Sequence, residues 1–214
     1  MVAQPSQPRS MTVDEWRELE EHSEMKHEYI DGQIYAMAGG TLAHSFVAVN
    51  VLALLSRAFE EGPCRVYTSD AASRLSPTRY TYPDVVVTCD ERDRPTTKQR
   101  EVQAPRVIIE VSSESTEIYD RGRKFGYYRA CSTVQEYVLV NTEYQLVEVY
   151  RRTPKVWEYQ AYGPGDEVEL TSIDVGLSVA ALYRQTDVPE SLDIPEERRT
   201  RSIDSNTGVP TLGE

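Results

Sequence analysis

Two short runs rich in valine and isoleucine lie near the centre of the chain and predict buried β-strands. The first spans residues 82–87 and the second spans residues 107–111, and each contains one carboxylate, Asp84 or Glu110. Unbroken apolar runs of this kind are typical of strands that are covered on both faces of a sheet. Apolar positions at helical spacing then predict a helix over residues 119–131.

The N-terminal part of the chain predicts a helix, a hairpin and a long helix. The start at Thr12 resembles a capping box and predicts a helix over residues 12–21. An Asp-Gly pair between two partly alternating runs predicts a β-hairpin within residues 26–38, because Asp-Gly is a strong signal for a tight turn. The broad apolar surface of residues 41–61 predicts a long helix that packs against a sheet on much of its circumference.

The remaining apolar runs predict further strands, separated by turn residues. The predicted strands cover residues 65–75, 82–89, 106–112, 136–141, 146–151 and 156–162, and residues 167–184 add a strand and a short helix. Strands that surround and follow long helices predict an α/β fold, with a mixed central β-sheet flanked by helices and an N-terminal β-hairpin.

The amino-acid composition of the two ends of the chain differs from that of the central domain. Residues 1–10 and 186–214 contain few large apolar side chains, which predicts a disordered leader and a disordered, acidic tail. Residues 11–185 hold the predicted elements and form a single predicted domain. The start of the chain lacks a signal-peptide pattern, and no apolar run reaches the ~18 residues of a membrane span.

The charge and the cysteines narrow the functional class. A formal net charge of −12 and a pI of about 4.8 argue against a general nucleic-acid coat protein, whose phosphate contacts need clustered Lys and Arg. They do not exclude a nuclease, because a metal site itself needs acidic residues. Cys64, Cys89 and Cys131 are widely spaced, which predicts three reduced, mostly buried thiols and a cytoplasmic protein.

The two strand carboxylates are the strongest chemical signal. A glutamate inside an apolar strand is costly to bury unless a cation pairs with it. Alternate residues of a strand share a face, so Asp84 and Glu110 can converge on one ion if their strands are neighbours. Oxygen ligands suit Mg²⁺, and the carbonyl of Val111 is a natural third ligand. Lys124 on the following helix would orient or deprotonate the activated water and offset developing negative charge.

Purely structural interpretations compete with this one. Glu110 could form a buried ion pair with Lys124 or Arg123, and Asp84 could simply end a strand. A lone histidine such as His44 is more often a satisfied core residue than a ligand, although its place near a helix start makes it a candidate for lining the site.

Six segments, taken together and in order, resemble the bacterial "putative restriction endonuclease" family, a branch of the PD-(D/E)XK nuclease superfamily. The segments are 27–34, 44–50, 82–87, 109–116, 120–128 and 134–140, within a resemblance that covers residues 11–185. The resemblance implies a restriction-endonuclease-like core and Mg²⁺-dependent cleavage of DNA. It also implies that Asp84 and Glu110 bind the metal and that Glu28 is a further acidic residue of the site.

Two departures from the family pattern concern residues near the second acid. Ser112 stands where the superfamily lysine is expected, and Lys124 is the matching lysine on the next helix. Glu114 stands where relatives usually have proline, which changes the stiffness of the loop and adds negative charge. Ser112 and Arg123 are further candidates for lining the site. Arg123 could contact a phosphate there, or it could instead belong to a solvated helix face. Glu28 could instead only hold the hairpin turn.

The expected function is a Mg²⁺-dependent DNA endonuclease, with Mn²⁺ as a second possible ion. Asp84, Glu110, Lys124 and Glu28 are the expected catalytic residues, and Asp84, Glu110 and Val111 are the expected metal ligands. A homodimer is expected, because related nucleases often pair to cut both strands. Two alternatives remain open: a non-catalytic binding or regulatory module that retains the nuclease fold, and a hydrolase of another phosphoester with a small closed pocket.

Overall fold

The computed structural model describes residues 10–37, 39–113 and 116–191. The predicted leader, apart from residue 10, and most of the predicted tail lie outside the described residues. Within the described part, the mixed α/β architecture confirms the predicted fold class.

The described elements follow the predicted order closely. The helices are α1 (Val13–His22), α2 (Leu42–Ala58), α3 (Glu117–Tyr119), α4 (Phe125–Ala130) and α5 (Val179–Leu182), with a π-helical turn at Asp120–Lys124 and a 3-10 turn at Glu91–Asp93. The strands are β1 (His27–Ile30), β2 (Gln33–Ala36), β3 (Arg65–Thr68), β4 (Ala72–Ser76), β5 (Arg79–Thr81), β6 (Val85–Thr88), β7 (Glu101–Val102), β8 (Val107–Ser112), β9 (Glu136–Asn141), β10 (Val147–Arg152), β11 (Trp157–Tyr162), β12 (Glu167–Leu170) and β13 (Val175–Ser178).

Six strands form the central sheet, in the order β11-β10-β9-β8-β6-β3. Strands β8 and β9 are parallel and the other neighbours are antiparallel, so the sheet is mixed. All residues of β6, β8 and β9 are buried, because helices and loops cover both faces. One face packs against Val47, Val51 and Leu55 of α2, and the other packs against Tyr128 of α4.

A second sheet, which we call the hairpin sheet, has the order β2-β1-β5-β4-β7. Its first two strands are the predicted hairpin, with Asp31 and Gly32 at positive φ in the turn. Trp16 of α1 is buried against Tyr29 and Tyr80 of this sheet. Helix α1 therefore anchors the hairpin sheet.

Three predicted strands, one predicted helix and one predicted helix surface differ from the structure. The single strand predicted within residues 167–184 is two paired strands, β12 and β13, and the predicted helix 119–131 is α3, the π-helical turn and α4 in succession. The predicted strand 65–75 is two strands, β3 and β4, which belong to different sheets because a turn at residues 69–71 redirects the chain. The predicted strand 82–89 shortens to β6, because residues 82–84 cross between the sheets. Helix α2 is buried on one face only, and its Leu42, Phe46 and Val49 are exposed.

A disulfide between Cys64 and Cys89 corrects the prediction of three reduced thiols. The antiparallel pairing of β3 with β6 joins Arg65 to Thr88, so the two cysteines meet one position beyond that pair. Cys131 is free and buried, as predicted. No helix among the described residues is long and apolar enough to cross a membrane.

Candidate active site

The crossing between the two sheets places Asp84 opposite Glu110. Strand β6 pairs with β8 in a register that joins Val85 to Ile109, so the next facing pair is Asp84 and Glu110. Directly opposed residues of an antiparallel pair point to the same face. The expectation that these strands are neighbours is therefore confirmed, and their two carboxylates lie on the face that α4 covers.

The π-helical turn brings Lys124 to these carboxylates. Its ammonium lies 2.8 Å from Glu110 Oε1, 3.5 Å from Glu28 Oε1 and 4.0 Å from Asp120 Oδ1. Asp120 and Lys124 share one side of the helix because they are four residues apart. We call Glu28, Asp84, Glu110 and Asp120, with Lys124 among them, the carboxylate cluster.

Glu28 reaches this cluster from the hairpin sheet. It is buried in β1, and the backbone N–H of Tyr82 donates to its Oε1 over 3.4 Å. The hairpin turn is held instead by Asp31, which accepts hydrogen bonds from Thr78 and Arg79. The alternative in which Glu28 only holds the turn is therefore wrong.

His44 and Val111 both contact Asp84. The Nε2 atom of His44 lies 3.3 Å from Asp84 Oδ2, and the Val111 N–H donates to the same oxygen over 2.8 Å. The hydrogen bond with Asp84 raises the pKa of His44 against the effect of burial, and the Val111 backbone adds to the shift. His44 thus lies at the site and is partnered by a carboxylate, rather than packed in the apolar core.

The pKa values of Glu110, Asp120 and Lys124 in the cluster are raised above their ordinary values. Burial raises the pKa of Glu110 to about 8, although Lys124 acts in the opposite direction. Burial likewise raises the pKa of Asp120. Burial lowers the pKa of Lys124, but the surrounding carboxylates of Glu110, Glu28 and Asp120 outweigh that effect and raise it overall. Lys124 is therefore a permanent cation at neutral pH.

A cavity of about 340 Å³ opens onto the cluster. Glu28, His44, Asp84, Glu110, Val111, Asp120 and Lys124 line it. Ser112 and Arg123 are not among the described residues that line it. Ser112 is buried, with its carbonyl accepting bonds from Thr142, and Arg123 is exposed on the outer side of the helix. Glu114, the departure in the neighbouring loop, lies outside the described residues.

Sequence reasoning missed two groups of the site. Asp120 lies within the predicted helix 119–131, and the structure shows that it is buried and faces the cavity. Tyr128 lies in the same predicted helix, and its hydroxyl donates to Glu110 Oε1 and lies 3.3 Å from Thr81 Oγ1. The four-residue spacing between Asp120 and Lys124 was a usable signal for the first. The second required knowledge of where α4 packs.

The donor set fits a divalent cation. Among the described residues, no three His, Cys, Asp or Glu side chains form a preassembled metal-binding group. Magnesium does not need one, because it is usually held by one or two carboxylates together with water and substrate phosphate. Asp84 and Glu110 supply two such carboxylates beside the Val111 backbone. Three carboxylates, those of Glu28, Glu110 and Asp120, share the Lys124 ammonium, and Asp84 lies beside them with His44, so acidic groups outnumber basic groups at the site.

A larger cavity, of about 410 Å³, is lined by residues of α1, β3 and the segment 93–102, but it offers weaker chemistry. Its buried carboxylate, Asp93, already accepts hydrogen bonds from Thr88, Gln99, Gln103 and Ala104. Its Lys26 is paired with Asp70 over 2.5 Å. Asp93 and Lys26 therefore have their own partners, whereas Glu28, Glu110 and Asp120 share the single ammonium of Lys124.

Comparison with known proteins identifies the family. Two uncharacterized proteins of Synechocystis sp. are similar to this chain: one is 38% identical over 183 residues, which cover 84% of this chain and 95% of that protein. The other is 32% identical over 143 residues, which cover 66% and 81%. A crystal structure of a "putative nuclease" from Anabaena variabilis shares the fold, with a TM-score of 0.66 and 21% identity over 81% of this chain and 97% of that one. The pattern of the Uma2 family, described as "Putative restriction endonuclease", matches residues 13–182, and the chain therefore belongs to this family.

Proposed function

We propose that the protein is a Mg²⁺-dependent DNA endonuclease that hydrolyses phosphodiester bonds, with Mn²⁺ as a second effective ion. The observation that carries this proposal is the facing pair Asp84 and Glu110, with the Lys124 ammonium 2.8 Å from Glu110 at the base of an open cavity. Membership of a family described as restriction endonucleases supports it.

Each residue of the cluster has a role in this proposal. A bound Mg²⁺ would supply Lewis-acid polarisation of the scissile phosphate and a more acidic water. Asp84, Glu110 and the Val111 carbonyl would hold the ion. Lys124, being protonated, would donate hydrogen bonds to the attacking water or to the developing negative charge, rather than remove a proton. Glu28 would hold the Lys124 ammonium in position.

Two expectations about assembly and chemistry belong to the same proposal. A homodimer would bring two sites to the two strands of DNA, and the exposed Leu42, Phe46 and Val49 of α2 offer an apolar surface for pairing. The open cavity favours a polymeric substrate over the small closed pocket expected for a hydrolase of another phosphoester.

A non-catalytic binding or regulatory module is the second candidate. The net charge of −12 favours it, and so does the engagement of Arg121, which pairs with Glu117 and Glu148 instead of facing a groove. In this candidate, Lys124 and Glu110 are simply a buried ion pair that stabilises the contact between the π-helical turn and β8.

Calorimetric titration of the purified protein with Mg²⁺ and with Mn²⁺ separates the two candidates. We expect binding in the wild type and in a Glu169→Ala control, which removes an exposed acid from β12. Asp84→Ala and Glu110→Ala should each abolish it. Cleavage of plasmid DNA should follow the same pattern. A wild type that binds neither ion, even with DNA present, would establish the non-catalytic module.

A further inference from the structure

Aromatic side chains border the mouth of the cavity on the side of the hairpin. Tyr35 pairs with Glu28 across the hairpin, so both point to the same face, and Tyr35 is 44% exposed. Tyr119 of α3 is 36% exposed, and both tyrosines line the cavity. An exposed aromatic ring beside a buried acidic cluster is unexplained by core packing, because it leaves much of its surface in water.

A cationic and aromatic pair lies close to these two tyrosines. The Arg79 guanidinium lies 4.9 Å from the centre of the Tyr127 ring. Burial raises the pKa of Tyr119 and of Tyr127, and the nearby Tyr35 adds to both shifts, which agrees with a contiguous group. We call Tyr35, Tyr119 and Tyr127, with Arg79 over Tyr127, the aromatic rim.

The charge around the cavity disfavours the usual way of binding duplex DNA. Duplex affinity depends on Lys and Arg contacts to phosphates along both strands. Among the described residues that line this cavity, Lys124 and His44 are the basic groups, and both are paired with carboxylates. Stacking of bases on aromatic rings can supply part of the affinity at such a site, because it acts through the ring faces and not through positive charge.

The depth of the carboxylate cluster also favours a single strand over a duplex. Glu110 is only 4% exposed and lies at the base of the open cavity, so a phosphate must move inward to reach it. A stiff duplex pays a bending cost to bring one phosphate inward, whereas the backbone of a single strand bends freely.

We propose that the preferred substrate is single-stranded DNA, whose bases stack on the aromatic rim while one phosphate reaches the carboxylate cluster. This inference rests on the proposed function and specifies its substrate class. Tyr35 and Tyr119, which line the cavity, stack bases beside the entering nucleotide, and Tyr127 with Arg79, which lie outside the cavity lining, extend the stacking surface.

The test compares one fluorescein-labelled oligonucleotide, without self-complementarity, as a single strand and as a blunt duplex. Cleavage rates in Mg²⁺ and Mn²⁺ are measured together with binding by fluorescence anisotropy. We expect kcat/KM at least about tenfold higher on the single strand. Tyr35→Ala and Tyr119→Ala should each lower it about tenfold, mainly by raising KM, whereas the Phe variants should retain it.

Tyr159→Ala is the matched control, because Tyr159 is 56% exposed on the edge strand β11, away from the cavity. It should leave both substrates unchanged, and thermal melts should show that all variants fold. Equal or faster cleavage of the duplex, or a single strand insensitive to both alanine variants, overturns the inference while the nuclease function stands. If no DNA is cleaved, the proposed nuclease function fails, and the anisotropy measurement decides the inference. Binding of the single strand that depends on Tyr35 and Tyr119 supports the inference, and the absence of such binding overturns it.

Discussion

Glu110 and Glu136 are both buried glutamates, on the adjacent parallel strands β8 and β9, but their surroundings differ. Glu136 is fully buried and saturated: Arg151 donates to it over 2.9 Å, and the backbone N–H groups and hydroxyls of Thr171 and Ser172 complete its shell. Glu110 has an ammonium and a phenol, Lys124 and Tyr128, and it faces a cavity.

The difference distinguishes a structural carboxylate from a functional candidate. A buried charge is tolerated when hydrogen bonds satisfy its oxygens, and the donors of Arg151, Thr171 and Ser172 meet that condition for Glu136. Glu110 shares its ammonium with Glu28 and Asp120, and burial raises its pKa to about 8. Perturbed carboxylates in a cleft are typical of functional sites. The location agrees, because Glu110 lies nearer the carboxyl end of the parallel pair, where α/β sheets bind ligands.

The largest expected effect is on catalysis. If the proposed function holds, Glu110→Gln and Asp84→Asn should each lower DNA cleavage by about a thousandfold or more, because each would remove a charge proposed to hold the ion. Initial rates on the preferred substrate measure this, with Glu169→Gln as a control that should keep its full rate. A Glu110→Gln variant that retains wild-type cleavage would place Glu110 in the same class as Glu136.

The next effect is on stability, where a substitution at Glu136 should cost more than a substitution at Glu110. Glu136→Ala should lower the free energy of unfolding by about 3–5 kcal/mol, because Arg151 loses its buried partner. Glu110→Gln should change it by less than about 1 kcal/mol at neutral pH, because glutamine resembles the protonated acid. Urea denaturation measures both, and a larger loss for Glu110→Gln would contradict the comparison.

Removal of Lys124 should make stability depend on pH. The Lys124 ammonium lowers the pKa of Glu110 and of Asp120, so without it both values rise further above those of the unfolded chain. A raised folded pKa contributes stability at low pH that is lost as pH rises. Lys124→Met should therefore cost about 3–5 kcal/mol near pH 8 and clearly less near pH 5.

Denaturation curves at the two pH values test this, with Lys26→Met as the control. Lys26 pairs with Asp70, whose side chain is 87% exposed, so that variant should show little dependence on pH. An equal cost of Lys124→Met at both pH values would mean that its neighbours do not titrate in this range.

The smallest expected effect is the pH dependence of metal affinity. Below about pH 8, Glu110 holds a proton that a cation must displace, so the affinity for Mg²⁺ should rise by up to about tenfold per pH unit towards that value. Calorimetry in buffers with different heats of ionisation would count the released protons. Glu169→Gln should leave the proton count unchanged. A pH-independent affinity would show that Glu110 is already ionised in the free protein.

Much of the architecture could be predicted from the sequence. The Asp-Gly turn specified the hairpin, and apolar runs specified β8 and β9 within a residue or two. The predicted strands 65–75 and 82–89 are longer than the strands in the structure, because a run of strand-forming residues does not show where the chain passes from one sheet to the other. The Cys64–Cys89 disulfide was missed for a related reason, since it depends on β3 pairing with β6.

The sequence alone determined the periodic apolar faces, the turn chemistry and the presence of Asp84, Glu110 and Lys124 on neighbouring elements, because these are local properties of the chain. Tertiary structure alone decided which charges are partnered. It brought Glu28 from the hairpin sheet to Lys124, turned Asp120 inward and placed His44 beside Asp84. Burial and distance set the strength of such interactions, and both depend on how distant segments pack.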